Sequence, residues 1–480
     1  HPGTPAFSRL LRLLQQRLPR WSANGLRDGC LTGRVSPIRR VAPGAITSKL
    51  PARPTVSMWR IFCSPMNVCH LVMDYRAALL LFALISITSA AEPDRLAALD
   101  RDVEALRTKL DIPALAVVLV ARERVLLSKT YDVADRTTGE PFGPDHYFRV
   151  GSITKTFTAL AALRLLREGS LALTDRLQDI APGLPLDNPW QDTNPITIGQ
   201  LLEHTAGLND LTPREFGFNE PLPRPAAFAL SPDSRNVRWP PGRHHSYSNS
   251  SPGLVAAAIE RVTEMPFQLH LRRAVLEPLG MGKATLLPEP RVLARLVTGY
   301  DSDRLTVIPY WHMTYPAFGA LNVRPADMAA FLQLFLNRGR HEGQVFLEPA
   351  LIERMETPRT TLAAGTGLGF GYGLGLYAFL HGDHLFHGHG GDADGYLSRF
   401  AYQRRAGLAY YVFRREDLAR ICRRVEEYIV AGLPALEAPR VKLPDTALAA
   451  RTGDYEAVTW RFPNAPATEV TPAVLSVVRG

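Results

Sequence analysis

Apolar residues recur at helical spacing from Leu96 to Leu110, with mixed charges between them, and predict an amphipathic helix. The period then changes. Ala114 to Ala121 and Val125 to Tyr131 are short apolar runs with β-branched residues, separated by Arg122-Glu123-Arg124, and predict a β-hairpin. An apolar helix is predicted from Thr154 to Arg167. Residues 170 to 325 read mostly as helices and Pro-rich loops, with helices at Thr197–Glu203, Pro252–Val262 and Pro266–Val275. Pro325–Asn337 and Pro349–Met355 continue that character, each with Pro at a plausible first helical position. After residue 365 glycine alternates with larger residues at a period of two. Strands are predicted at Tyr372–Phe379, Tyr396–Gln403 and Gly407–Phe413, with a short one near His384–His387 and a closing helix over Glu416–Ala431. Terminal elements that share one sheet around a helical insertion predict an α+β fold. The expected architecture is an antiparallel β-sheet flanked by helices, in two layers, with a large all-helical insertion.

The two ends of the chain depart from this pattern. Residues 1–72 mix Pro, Gly, Ser and Arg with no sustained period. Ala77 to Ile87 is then an apolar run behind Arg76, closed by the small residues Ser89-Ala90-Ala91, and residues 73–91 read as a secretory signal peptide. The expected location is secreted or periplasmic, with no stable membrane span after cleavage. Residues 1–72 are either sequence upstream of the true start or an Arg-rich transit peptide to an organelle; the complete leader that follows favours the first. The main folded unit is expected over residues 92–433. Residues 434–480 read as a Pro-rich linker and the start of a truncated further module.

Charge changes the picture only by its distribution. The net charge is +9, but residues 1–72 carry ten Arg and Lys49 against Asp28, so the other 408 residues sum to about −1. That removes the case for a nucleic acid partner. Of four cysteines, Cys30, Cys63 and Cys69 precede the cleavage point. Cys422 alone follows it, so the mature chain has no internal disulfide.

Candidate chemistry begins at Arg149–Thr158, "RVGSITKTFT". Six lysines occur in the chain, and only Lys155 has a serine three residues before it. Serine is a weak nucleophile until a neighbour takes its proton, and positions i and i+3 share a helix face, so Lys155 can activate Ser152. A helix N-terminus also offers backbone N–H groups to a developing oxyanion. The competing reading is that Ser152 caps the helix and Lys155 is solvated. In "RHHSYSNSSPG", Tyr247 and Asn249 stand two apart, which points both side chains the same way in an extended segment. A nearby cation such as Lys155 can make the phenol a competent base; the alternative is a polar turn capping the next helix. In "FHGHGGDADGYLSRF", His389-Gly390-Gly391 precedes a strand and allows close approach of backbone to a ligand. A zinc site is the rival there, from His381, His384, His387 and His389 with Asp392 and Asp394, although no His-Glu-x-x-His spacing occurs.

These three sites, in this order, resemble the serine β-lactamase and penicillin-binding protein superfamily. The similarity is to its class C β-lactamase-like branch, with esterase, D-aminopeptidase and D-Ala-D-Ala carboxypeptidase relatives. "ITIGQLLEHTAGL" and "GGDADGYLSRFAY" carry the likeness beyond the motifs, over about residues 95–433. The resemblance implies that Ser152 is acylated and that Lys155 and Tyr247 share the proton transfers. Asn249, His389, Gly390 and Gly391 would bind substrate, and the backbone N–H groups of Ser152 and Asp392 would form the oxyanion hole. No metal or cofactor is implied. The expected substrate is an ester, a D-amino acid peptide or amide, or a β-lactam. The third motif departs from the family: His-Gly-Gly stands where Lys-Thr-Gly is usual. A histidine near its unperturbed pKa is mostly neutral at pH 7, so esters and D-amino acid amides are expected to outrank carboxylate-bearing β-lactams.

Overall fold

The computed structural model describes residues 93–221, 233–301, 303, 305–365, 367, 369–414 and 418–434, with two short segments at 453–455 and 473–475. The leader readings over 1–72 and 73–91, and most of the 434–480 reading, lie outside these residues. The helix predicted at the front is present as α1, residues 93–109. It leads to β1 (Leu115–Ala121) and β2 (Val125–Tyr131), the expected hairpin. Helix α2 (Thr154–Arg167) follows, then α3 (Ser250–Thr263) and α4 (Met328–Leu336). Four strands close the chain: β3 (Tyr377–His381), β4 (His384–Ala393), β5 (Tyr396–Gln403) and β6 (Leu408–Arg414), before α5 (Leu418–Val430).

The six strands form one antiparallel sheet in the order β3-β4-β5-β6-β1-β2. The front hairpin therefore joins the back of the chain through β1 and β6, with Ala116 opposite Phe413 and Ala121 opposite Leu408. The residues of β1 alternate between two cores. Leu115, Val117 and Leu119 pack with Leu99 and Val103 of α1 and with Ile421 and Val425 of α5. Ala116, Val118 and Val120 face the larger core, built with α2, α3 and α4. The sheet is thus covered on both faces, and the molecule has three layers rather than the two expected. The unbroken apolar run of β1 is the sequence mark of that double burial.

Other differences are local. The strand expected over Tyr372–Phe379 begins only at Tyr377, because Gly375 takes a left-handed conformation (φ 71°) and turns the chain first. The short strand near His384–His387 runs on to Ala393, so His389, Gly390 and Gly391 lie within a strand instead of before one. Among the described residues between the hairpin and β3 the regular elements are mostly short helices, joined by longer stretches of loop, so the insertion is not all-helical as expected. It also holds two-residue strand pairs, Phe148–Arg149 with Asn322–Val323 and Gly217–Phe218 with His312–Met313. Such short pairs leave no periodic trace in sequence. Gly453–Tyr455 pairs with Ala473–Leu475 outside the main sheet. Among the described residues no helix is long and apolar enough to cross a membrane.

Candidate active site

Ser152 stands in a tight 3-10 turn, Gly151–Ile153, immediately before α2. The capping alternative fails on geometry: neither this turn nor α2 has a side-chain cap, and the Thr154 hydroxyl bonds the Gly151 carbonyl instead. The turn is held from three sides. Val150 N–H donates to the Leu321 carbonyl at 3.0 Å, and Leu321 N–H donates to the Thr154 hydroxyl at 3.2 Å. The buried Ser398 hydroxyl of β5 donates to the Val150 carbonyl at 2.8 Å. Strand β4 passes so close that a Cβ on Gly391 would fall 1.8 Å from the Val150 oxygen. One on Gly151 would fall 2.6 Å from the Asp392 nitrogen. The main chain of Asp392 and the Ser152 turn therefore border the same space.

Lys155 is buried, and its Nζ donates to Ser152 Oγ at 2.9 Å, to Asn249 Oδ1 at 2.7 Å and to the Phe318 carbonyl at 2.9 Å. It also lies over the Tyr247 ring, 4.9 Å from the centroid, and over the Phe318 ring at 5.3 Å. Tyr247 and Asn249 thus both flank the lysine. Asn249 precedes α3 without using its side chain as a cap; the neighbouring Ser248 hydroxyl accepts from the Ser250 N–H at 3.2 Å, so the turn both serves the helix start and presents Asn249 to the lysine. The Asn249 amide is oriented by Asp210, a residue the sequence reading did not single out. Asp210 Oδ1 accepts from the Asn249 backbone N–H at 2.7 Å, and Oδ2 accepts from Asn249 Nδ2 at 3.2 Å. Asp210 follows directly on the "HTAGLN" stretch, and that adjacency was the available signal.

His389 is buried on β4, opposite Phe400 of β5. Its Nε2 lies 2.8 Å from the Tyr372 hydroxyl, and its Nδ1 bonds the Gly390 carbonyl. A carbonyl only accepts, so Nδ1 carries the proton and Nε2 accepts from Tyr372. Burial first, and the Lys155 charge second, push the His389 pKa down to about 3. Burial also pushes the Tyr372 phenol well above its usual 10. The third motif therefore presents a neutral pair with both ring nitrogens committed internally. Tyr372, missed in sequence because it was placed inside a strand, sits among His204, His245, Tyr247 and Tyr377 in an aromatic wall.

The histidine tract is dispersed. His381 pairs with Glu426 at 3.0 Å, His387 stacks on Tyr402, and His389 turns to Tyr372. Among the described residues no three His, Cys, Asp or Glu side chains are placed to share a metal ion.

A Ser-x-x-Lys pair at the head of a helix, beside a strand of an antiparallel sheet flanked by helices, defines a β-lactamase/transpeptidase-like fold. The chain belongs to the beta-lactamase family, whose family model matches residues 99–422. An uncharacterized protein of Mycobacterium tuberculosis is 29% identical over 298 residues, covering 55% of this chain and 73% of that one. Penicillin-binding protein 4 of Amycolatopsis lactamdurans is 28% identical over 245 residues, or 49% of this chain and 62% of its own length. The fold is shared with the octameric penicillin-binding protein homologue of Pyrococcus abyssi, with a TM-score of 0.58, 22% identity, and coverage of 75% of this chain and 82% of the other.

Proposed function

We propose that the protein is an exported serine hydrolase that acts through a Ser152 acyl-enzyme on esters or on D-amino acid amides and peptides. The observation that carries this reading is the 2.9 Å contact of Lys155 Nζ with Ser152 Oγ, inside a shell formed by Asn249, Tyr247 and the Phe318 carbonyl. Ser152 Oγ attacks the substrate carbonyl and its proton passes to the Lys155–Tyr247 pair. The backbone N–H groups of Ser152 and Asp392 stabilise the oxyanion. The same proton then leaves with the alcohol or amine, and water, deprotonated by the same pair, releases the acid and restores Ser152. Asn249 orients the lysine, and the Gly390–Gly391 backbone lines the substrate strand. The scheme calls on no metal or cofactor.

The substrate preference rests on His389. A lysine in its place would offer a cation to a substrate carboxylate, whereas the Tyr372–His389 pair offers neither charge nor a free ring N–H. Neutral leaving groups suit such a wall better than the carboxylate of a β-lactam or a D-Ala-D-Ala terminus. A relative named for penicillin binding keeps two alternatives in view: a true β-lactamase or carboxypeptidase, and an inactive penicillin- or peptidoglycan-binding module. One panel separates them. Full-length protein should be labelled by a fluorophosphonate probe and should turn over p-nitrophenyl esters or a D-amino acid amide faster than a cephalosporin. Ser152→Ala should abolish both labelling and turnover. Folded wild-type protein that binds penicillin but is neither labelled nor active would support the binding module; fast cephalosporin turnover would support the lactamase.

A further inference from the structure

The charge state of Lys155 is decided by groups on several elements. The turn before its own helix supplies Ser152; the segment before α3 supplies Tyr247 and Asn249; strand β4 supplies His389, which Tyr372 backs from the loop before β3; the turn before Leu321 supplies the Phe318 carbonyl. Burial alone favours the neutral amine. His389 is itself neutral and adds nothing to hold a cation. Among the described residues, hydrogen bonds connect the Asp210 carboxylate to the lysine through the amide of Asn249.

That connection is built rigidly. Asp210 is buried, and its carboxylate accepts from three N–H groups: Leu211 at 2.8 Å, the Asn249 backbone at 2.7 Å and the Asn249 side chain at 3.2 Å. An ionised carboxylate only accepts, so the nitrogen of the Asn249 amide must face it. The amide oxygen must then face Lys155, polarised by the charge behind it. We infer that Asp210 is a positioning residue that fixes the Asn249 amide and, through it, holds Lys155 in the ammonium form. This inference refines the proposed acyl-enzyme mechanism and assigns Asp210 no contact with substrate.

In the Asp210→Asn variant the constraint inverts. The introduced amide can still accept from the Leu211 and Asn249 backbones through its oxygen. Its NH2 can then turn toward Asn249 and donate to that residue's flipped oxygen. The Asn249 NH2 would then face Lys155, donor against donor. Loss of charge and loss of acceptor both favour the neutral amine.

The test reads Lys155 directly, so it holds whether or not the chain hydrolyses anything. The chain has six lysines, and Lys155→Arg identifies the Lys155 signal in protein carrying ¹³C-labelled lysine. Titration followed by the Cε chemical shift should show Asp210→Asn moving Lys155 to lower pH by about one unit or more, a tenfold change in its protonation equilibrium. The exchanged pair Asp210→Asn with Asn249→Asp, which puts the charge beside the lysine, should move it back upward. The Lys155-dependent limb of the fluorophosphonate labelling profile should follow the same shifts. An unchanged Lys155 titration in folded Asp210→Asn overturns the inference while leaving the hydrolase reading intact. If Asp210→Asn does not fold, an exchanged pair that folds and titrates below wild type overturns it equally.

Discussion

His389, with Gly390 beside it, separates this site from the Lys-Thr-Gly third motif that its family resemblance suggests. Folding depresses its ionisation from 6.5 to about 3, so the native state binds fewer protons than the unfolded chain between those values. It therefore adds stability that is complete above pH about 6.5 and is lost as pH falls toward about 3. Between pH 5.5 and 4, stability from urea unfolding should fall by about 1.4 kcal/mol per pH unit more steeply in wild type than in His389→Gln. Equal slopes would mean the imidazole is not buried neutral. Ser152, Lys155, Tyr247, Asn249 and His389 were legible because spaced motifs name residue types. Asp210 and Tyr372 were not, because their work is to orient another residue and that is fixed only by three-dimensional contact. The Phe318 carbonyl was illegible for a simpler reason: any residue type supplies a carbonyl.

At the level of elements, strand β4 carries the tightest constraint. Gly391 fits against the Val150 carbonyl and the Ser398 hydroxyl, and a methyl group there has nowhere to go without moving backbone. Gly391→Ala should cost about 2–3 kcal/mol of stability by urea unfolding and should abolish probe labelling, since the shift displaces both Asp392 and the Ser152 turn. Unimpaired labelling would show that the strand and the turn are not coupled. The apolar runs and the charged or turn residues that bound them placed α2, β2 and β5 at their observed bounds. Periodicity misplaced the start of β3 and the length of β4. Glycines at period two look like a strand whether they pair with a neighbour or turn the chain, and only the fold decides which.

For the molecule as a whole, the sheet joins residues far apart in sequence. β1 has β2 on one side but needs β6, nearly three hundred residues later, on the other. A chain ended after Asp383 keeps Ser152, Lys155, Tyr247, Asn249 and Asp210, yet lacks β4, β5 and β6. It should show neither a cooperative melting transition by circular dichroism nor probe labelling at Ser152. Labelling by such a chain would overturn the assignment of Asp392 to the oxyanion hole. The three-layer arrangement was hidden for a related reason: α1 and α5 lie at opposite ends of the described chain and cover the same face of the sheet.

The crossing of Asp392 over Gly151 also orders events in time. A ribosome working at about 5–20 residues per second makes Ser152 well before the strand that passes over it. The 240 residues from Ile153 through Asp392 take roughly tens of seconds to make. Through that interval the serine is only a hydroxyl on an unfinished chain. The Ser152 turn therefore meets the strand that passes over it only once β4 has been made, with β5 and β6 still to follow.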